Sequence, residues 1–262
     1  MKFTHLVASA FLFSIIVSSC VPRYIPNRQN VPMLQEKNEF RASVNPRNLQ
    51  LAYSPMQGLG IMANGFYMEQ SAWRVYSDDD TERARQFLSL AEIGLGYYCP
   101  ISPDSAWRFE IYSGYGTGNA RIHLQERTGN RWLGSGSYDI ERNFNARQNR
   151  FFVQPAIGYS SEYFEAAFST RISALSFLDI RLTNFTSYTE KYYGLEELGK
   201  RRFLLAEPAL TLRAGPKYVK FEAQIGYTSR LNYSEYSGHQ YVRPWIFVNF
   251  GLHATIAPRF WR

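Results

Sequence analysis

From Glu207 to Tyr227 the chain alternates apolar and polar side chains on both sides of a Gly-Pro turn. On the second arm Val219, Phe221, Ala223, Ile225 and Tyr227 share one face, while Lys220, Glu222, Gln224 and Gly226 share the other. On the first arm Leu204, Ala206, Leu210, Leu212 and Ala214 oppose Glu207, Thr211 and Arg213. Successive strand side chains point to opposite faces, so period two means two β-strands. The turn at Gly215, Pro216 and Lys217 joins them into a hairpin. The pattern does not say which face is outside. A soluble barrel turns its apolar face inward; a transmembrane barrel turns it toward lipid and fills the interior with polar groups.

The same alternation recurs along the chain. Candidate strands run over 36–43, 48–54, 59–70, 86–99, 107–116, 150–159, 164–184 and 244–256, which with the two hairpin arms makes about ten. Even strand numbers are usual for bacterial single-chain barrels. Short breaks near 55–58, 100–105, 160–163 and 215–217 alternate with long polar stretches near 71–85, 117–149, 185–200 and 229–243. Short periplasmic turns and long extracellular loops give this asymmetry, with 44–47 as one short exception. It places both barrel termini on the periplasmic side. Tyr97, Tyr98, Trp107, Tyr159, Tyr163, Trp245, Phe260 and Trp261 lie near strand ends, where interfacial aromatic girdles form. Pro155 and Pro208 fall inside strands, and the expectation is a bulge at each.

Composition agrees with an all-β chain: 16% of the residues are aromatic and only 19% charged. The formal net charge of +7 raises the possibility of nucleic acid. The Lys and Arg are scattered, though, with no basic stripe or recognised module, so no nucleic-acid partner is expected. Two cysteines, Cys20 and Cys99, exclude a disulfide framework.

The first 19 residues read as a signal peptide, with Lys2 in the n-region and an apolar stretch from Leu6 to Val17. They end on Val17, Ser18 and Ser19 before Cys20, which resembles a bacterial lipobox. The resemblance implies that Cys20 is diacylated and becomes the first mature residue. Residues 20–35 then form a lipidated tether, extended by Pro22 and Pro26, and 36–262 the barrel. The stretches Asn30-Val31-Pro32-Met33-Leu34, Glu36-Lys37-Asn38-Glu39, Leu51-Ala52-Tyr53-Ser54-Pro55 and Gly60-Ile61-Met62-Ala63-Asn64 resemble the opening of lipid-anchored outer-membrane β-barrel proteins of Bacteroidota. The resemblance covers roughly residues 20–70 by motif and carries no catalytic residue with it.

With the apolar face outward, the interior receives Glu92, Arg108, Glu110, Glu165, Arg171, Glu207, Arg213, Lys220, Glu222 and His253. Charges in a low-dielectric interior must be paired, and a narrow barrel is filled by its side chains. The expected role of these ten residues is a charge network that holds the interior together. No GxSxG motif, CxxC or HxxxH spacing occurs. Asp78, Asp79 and Asp80 read as a solvated loop. The expected protein is therefore a lipid-anchored outer-membrane β-barrel, with no cofactor beyond the lipid on Cys20 and no enzymatic activity. Its role is structural or in surface interaction through long loops, with outer-membrane lipids, another envelope protein or a surface glycan as partners. Three alternatives stay open: a narrow channel for ions or small solutes, a membrane lipid hydrolase using His253, and a soluble periplasmic barrel binding an apolar ligand inside.

Overall fold

A computed structural model describes residues 24–75, 81–130, 135–186, 198–232 and 245–261. They form one closed antiparallel barrel of ten strands. These are β1 (Phe40–Asn45), β2 (Asn48–Met56), β3 (Leu59–Val75), β4 (Thr81–Pro100), β5 (Trp107–Asn130), β6 (Ser135–Ser160), β7 (Phe164–Thr183), β8 (Arg202–Ala214), β9 (Val219–Arg230) and β10 (Trp245–Ile256). Each strand pairs with its neighbours in sequence, and β1 closes on β10 from Phe40↔Ile256 to Val44↔Leu252. Closure leaves no unpaired sheet edge around the ring. Both ends of the barrel wall, Phe40 and Ile256, lie at the short-turn mouth.

Alternation decides which side chains face in, and its meaning reverses along the wall. On β4 the outward residues from the short-turn end are Cys99, Tyr97, Leu95, Ile93 and Ala91, followed by Ser89, Phe87, Arg85 and Arg83. The inward residues run Tyr98, Gly96, Gly94 and Glu92, then Leu90, Leu88, Gln86 and Ala84. Near the short turns, then, the outside is apolar and the inside polar. Toward the long loops the outside is polar and the inside apolar. β5 and β6 repeat the reversal: Trp107, Phe109, Ile111 and Phe151, Val153, Ile157 face out below, and Ala120, Ile122, Leu124 and Phe144, Ala146 face in above. Those upper side chains join Phe66, Met68, Leu175, Phe177, Phe203 and Leu205 in one apolar core inside the upper barrel.

Strands β3 to β7 carry this upper zone, at 17, 20, 24, 26 and 20 residues. The β1–β2 hairpin is far shorter, with Asn45 paired to Asn48. The wall is a tall palisade on one side and low on the other. The stretches 71–85 and 117–149, expected as long polar connections, are thus largely strand. Their polar residues face outward while a second apolar set faces in. The two prolines also depart from expectation. The register holds from Val153↔Ile172 to Ala156↔Ser169 across Pro155, and from Ala206↔Ser229 to Ala209↔Gly226 across Pro208. Neither site is a bulge; each proline faces outward and the ladder skips it.

Close packing inside the wall rests on aromatic rings laid over glycines of the paired strand. Gly96 pairs with Tyr112, Gly114 with Phe152 and Gly226 with Phe247. A Cβ built on Gly114 falls on the Phe152 ring and on the Ile93 carbonyl, whereas one on Gly65 meets nothing within 4 Å. Overpacking of this kind destabilises by about 1–3 kcal/mol. Gly114→Val is therefore expected to lower the unfolding midpoint clearly, with Gly65→Ala close to the parent. Equal midpoints for the two variants would show that the ring moves aside freely.

Candidate functional site: a lumen filled by the chain's own N-terminal segment

Residues 24–35 carry three prolines within or just before them, at 22, 26 and 32, and no acidic side chain. Proline fixes φ and removes a backbone donor, so the segment stays extended and joins no sheet. It does not hang from the barrel as a tether. Tyr24, Asn27, Arg28, Gln29, Asn30, Val31, Met33 and Leu34 are all buried, because the segment threads the lower lumen from the short-turn mouth up to the apolar core.

Its contacts fix the direction. At the short-turn mouth the Leu34 amide donates to Glu110 at 2.8 Å, and the Gln35 side chain donates to Ser160 at 2.8 Å. Midway, the Gln29 amide donates to the Gln224 side chain and the Gln224 amide group donates back to the Gln29 carbonyl, both at 2.9 Å. The Asn30 side chain donates to Asn64 at 2.9 Å, and Gln154 donates to the Asn30 carbonyl at 2.6 Å. Arg28 pairs with Glu222. Higher up, Asn27 donates to Glu92 at 2.7 Å, and the Tyr24 hydroxyl donates to Glu207 at 2.6 Å. Above that level Tyr24 belongs to the apolar core of the palisade.

The ten residues expected inside, Glu92, Arg108, Glu110, Glu165, Arg171, Glu207, Arg213, Lys220, Glu222 and His253, are each buried and face the lumen. They fall into linked layers. Glu92 accepts from Arg150 Nε at 2.9 Å and lies 3.5 Å from Arg171, which also donates to Gln154 at 2.8 Å. Glu222 pairs with Arg213 as well as Arg28. Glu165 gathers Arg41, Arg213 and Lys220 at 3.0, 2.9 and 3.0 Å. Near the mouth Glu39 takes Arg41 at 2.7 Å and Arg259 at 3.0 Å. Burial pushes the Glu39 carboxyl up, but the two guanidinium groups outweigh it and hold it below the usual carboxylate range.

Glu39, Arg41 and Arg150 were not among the expected interior residues. Arg41 alternates with Phe40 and Ala42, and Arg150 shares the face of Gln154 opposite Phe151 and Val153, so period two carried the signal for both. No such signal marks the threaded segment. Tyr98, expected in an aromatic girdle, points inward and shares a 2.7 Å hydrogen bond with Ser54. Its neighbour Tyr97 is exposed.

Around His253, Ser43 Oγ lies 2.8 Å from Nδ1, Glu222 lies 3.7 Å from the same nitrogen, and Thr255 lies 3.2 Å from Nε2. A nucleophilic relay places hydroxyl and carboxylate on opposite ring nitrogens; here Ser43 and Glu222 crowd the same one. Among the described residues no cluster of His, Cys, Asp or Glu is placed to hold a metal ion. A concavity of about 890 Å³ lies on the outer wall between Ile93, Tyr115, Phe151 and Ile172. Cys20, Asp78, Asp79, Asp80 and His239 lie outside the described residues. No protein-family model matches the chain, and no curated protein matches it.

Proposed function

We propose that this chain is an outer-membrane β-barrel, anchored by lipid on Cys20 and stoppered by its own residues 24–35, that serves a structural or surface-interaction role and catalyses no reaction. One observation carries the reading: the outer face of the lower barrel is apolar all the way round, while the same strands turn paired charges inward. Val44, Leu49, Ile61, Ile93, Ile111, Val153, Phe168, Leu210, Phe221 and Val248 are exposed, one from each strand. Water would make such a belt unstable, whereas lipid requires it. The height also suits a membrane. On β4 the apolar residues from Ala91 to Cys99 extend about 26 Å along the strand at ~3.3 Å per residue, or about 20 Å once tilted. The usual lipid-facing band is about 25 Å tall.

Exposed Tyr97, Trp107 and Tyr163, with half-buried Tyr159, border the belt at the short turns. Trp107 and Tyr159 make an edge-to-face pair 5.7 Å apart. Beyond the opposite border the wall carries Arg85, Arg121, Asn145 and Arg147 on its outside. That arrangement suits a palisade standing in water above the outer leaflet, with the short turns and both barrel termini in the periplasm. The resemblance of residues 20–70 to lipid-anchored barrels of Bacteroidota supports the anchor. The threaded lumen argues against the channel and against an apolar ligand held inside. Partners of this protein are then outer-membrane lipids and, at the long loops, an envelope protein or surface glycan.

Single-cysteine labelling tests the belt. Val248→Cys and Asn249→Cys are made in a Cys99→Ser background and exposed to a lipid-confined and a water-soluble probe. Val248 points outward, and Asn249, inward of it, is half-buried. The lipid probe is expected to modify position 248 and spare 249. Protection of both from the lipid probe, with release of the protein once its anchor is removed, would assign it to solution instead.

A further inference from the structure

We infer that the lipid on Cys20 inserts into the outer leaflet, from the long-loop side, so that the anchor and the carboxyl end of the chain lie on opposite faces of the membrane. This rests on the spanning and lipidated reading above and adds the side on which the anchor acts.

The argument is one of direction and reach. Going backward from Phe40, the chain enters the lumen at the short-turn mouth and rises through it. Leu34 meets Glu110, Gln29 meets Gln224, and Tyr24 meets Glu207. Tyr24 also stacks beneath Arg150, 5.9 Å from ring centre to guanidinium. On β6 Arg150 adjoins Phe151, the last exposed apolar residue before Asn149 and Arg147. Tyr24 therefore sits level with the upper border of the apolar belt. Cys20 is four residues away, a reach of about 14 Å at ~3.5 Å per residue. Returning to the short-turn mouth means descending the ten residues from Arg150 to Ser160, about 25 Å of height for a tilted strand. Four residues do not cover that distance. The lumen they would have to pass is already occupied by Asn27, Arg28, Gln29 and Asn30.

Toward the long loops the way is short. The wall is low at the β1–β2 hairpin, where Asn45 pairs with Asn48. Among the described strands, the ladder to β1 ends on β10 at Leu252, and β3 meets the hairpin no higher than Tyr67, whose amide donates to the Arg47 carbonyl. A diacyl group reaching over this low wall meets the outer leaflet. Two acyl chains bury enough CH₂ groups for stable anchoring. The threaded segment then acts as a transmembrane leash held between a lipid above and a sheet strand below.

The test uses the full chain in the outer membrane, a Cys99→Ser background and a membrane-impermeant maleimide. Arg23→Cys reports the anchor end, exposed Lys200→Cys the long-loop end and exposed Glu162→Cys the short-turn end. Positions 23 and 200 are expected to label alike on intact cells, with 162 labelling only after the outer membrane is permeabilised. Val21→Cys, a second position beside the anchor that keeps the spacing, gives the same reading if position 23 is shielded. Labelling of 23 together with 162, while 200 labels on intact cells, overturns the inference and leaves the spanning barrel standing. If 200 and 162 behave alike, the spanning reading falls and takes the inference with it. Palmitate incorporation separates the lipid from its side: it should be lost in Cys20→Ala, and its absence from the parent would overturn the anchor itself.

Discussion

Deleting residues 24–34 is expected to turn a closed barrel into a conducting one. The wall does not need the segment, because β1 closes directly on β10 and every strand keeps both partners. What the deletion removes is the occupant of the lumen. Gln224, Asn64, Gln154, Glu110 and Glu92 each lose a hydrogen bond to it, and Glu222 loses Arg28. Buried polar groups left without partners are costly, and the cheapest replacement is water. A hydrated lumen lined by Arg and Glu of both signs passes ions. In a planar bilayer the parent should stay at baseline and the deletion variant should give discrete current steps. Retention of the compact, heat-modifiable band on gels would show that the variant is folded. A folded deletion variant that still fails to conduct would mean the wall side chains alone seal the barrel.

The lower barrel was legible in the sequence because one rule governs it. Wherever β7 to β10 cross the belt, outward residues are apolar and inward ones polar, so Glu165, Arg171, Glu207 and His253 could be assigned inward from spacing alone. The rule failed where its sign reversed. Above the belt Ala120, Ile122 and Leu124 still alternate with Arg121 and His123, but the apolar set now faces in. The excess of polar residues there reads as loop unless a strand is allowed to continue above the apolar belt. The threaded segment was illegible for another reason. Its hydrogen bonds run to side chains of β2 to β9, so its pattern is set by the wall and not by its own periodicity. Three prolines in fourteen residues look like a free tether and serve equally well for a strand that must not pair. Pro155 and Pro208 taught a smaller lesson: outward positions tolerate proline without a bulge, since the ladder resumes in the same register on either side.

The two zones also predict how the same chemistry will weigh differently. Two ion pairs illustrate it. Arg147 and Asp179 meet at 2.9 Å on the outside of the palisade, with side chains 51% and 60% exposed. Exposed pairs contribute about 0–1 kcal/mol, since water solvates each partner nearly as well alone. Arg147→Ala should therefore leave the unfolding midpoint almost unchanged. Glu92 and Arg150 meet in the lumen with no exposure at all. Arg150 also contacts Tyr24 and Asn27, and Glu92 contacts Asn64. Removing the carboxylate in Glu92→Ala leaves Arg150, among the described residues, with Glu207, 3.5 Å away, as its remaining anionic partner. It also strips Arg171 of its nearest carboxylate and frees the Asn27 contact that helps hold the threaded segment. Breaking one partner of a buried pair costs about 3–5 kcal/mol. Urea unfolding in micelles should show that loss as a large shift of midpoint, accompanied by easier proteolysis of the N-terminal segment. Glu92→Gln keeps the hydrogen bonds but not the charge and should fall between the alanine variant and the parent. If Glu92→Ala and Arg147→Ala shifted the midpoint equally, the lumen would have to be wet enough to solvate Arg150, and the seal proposed for it would not exist.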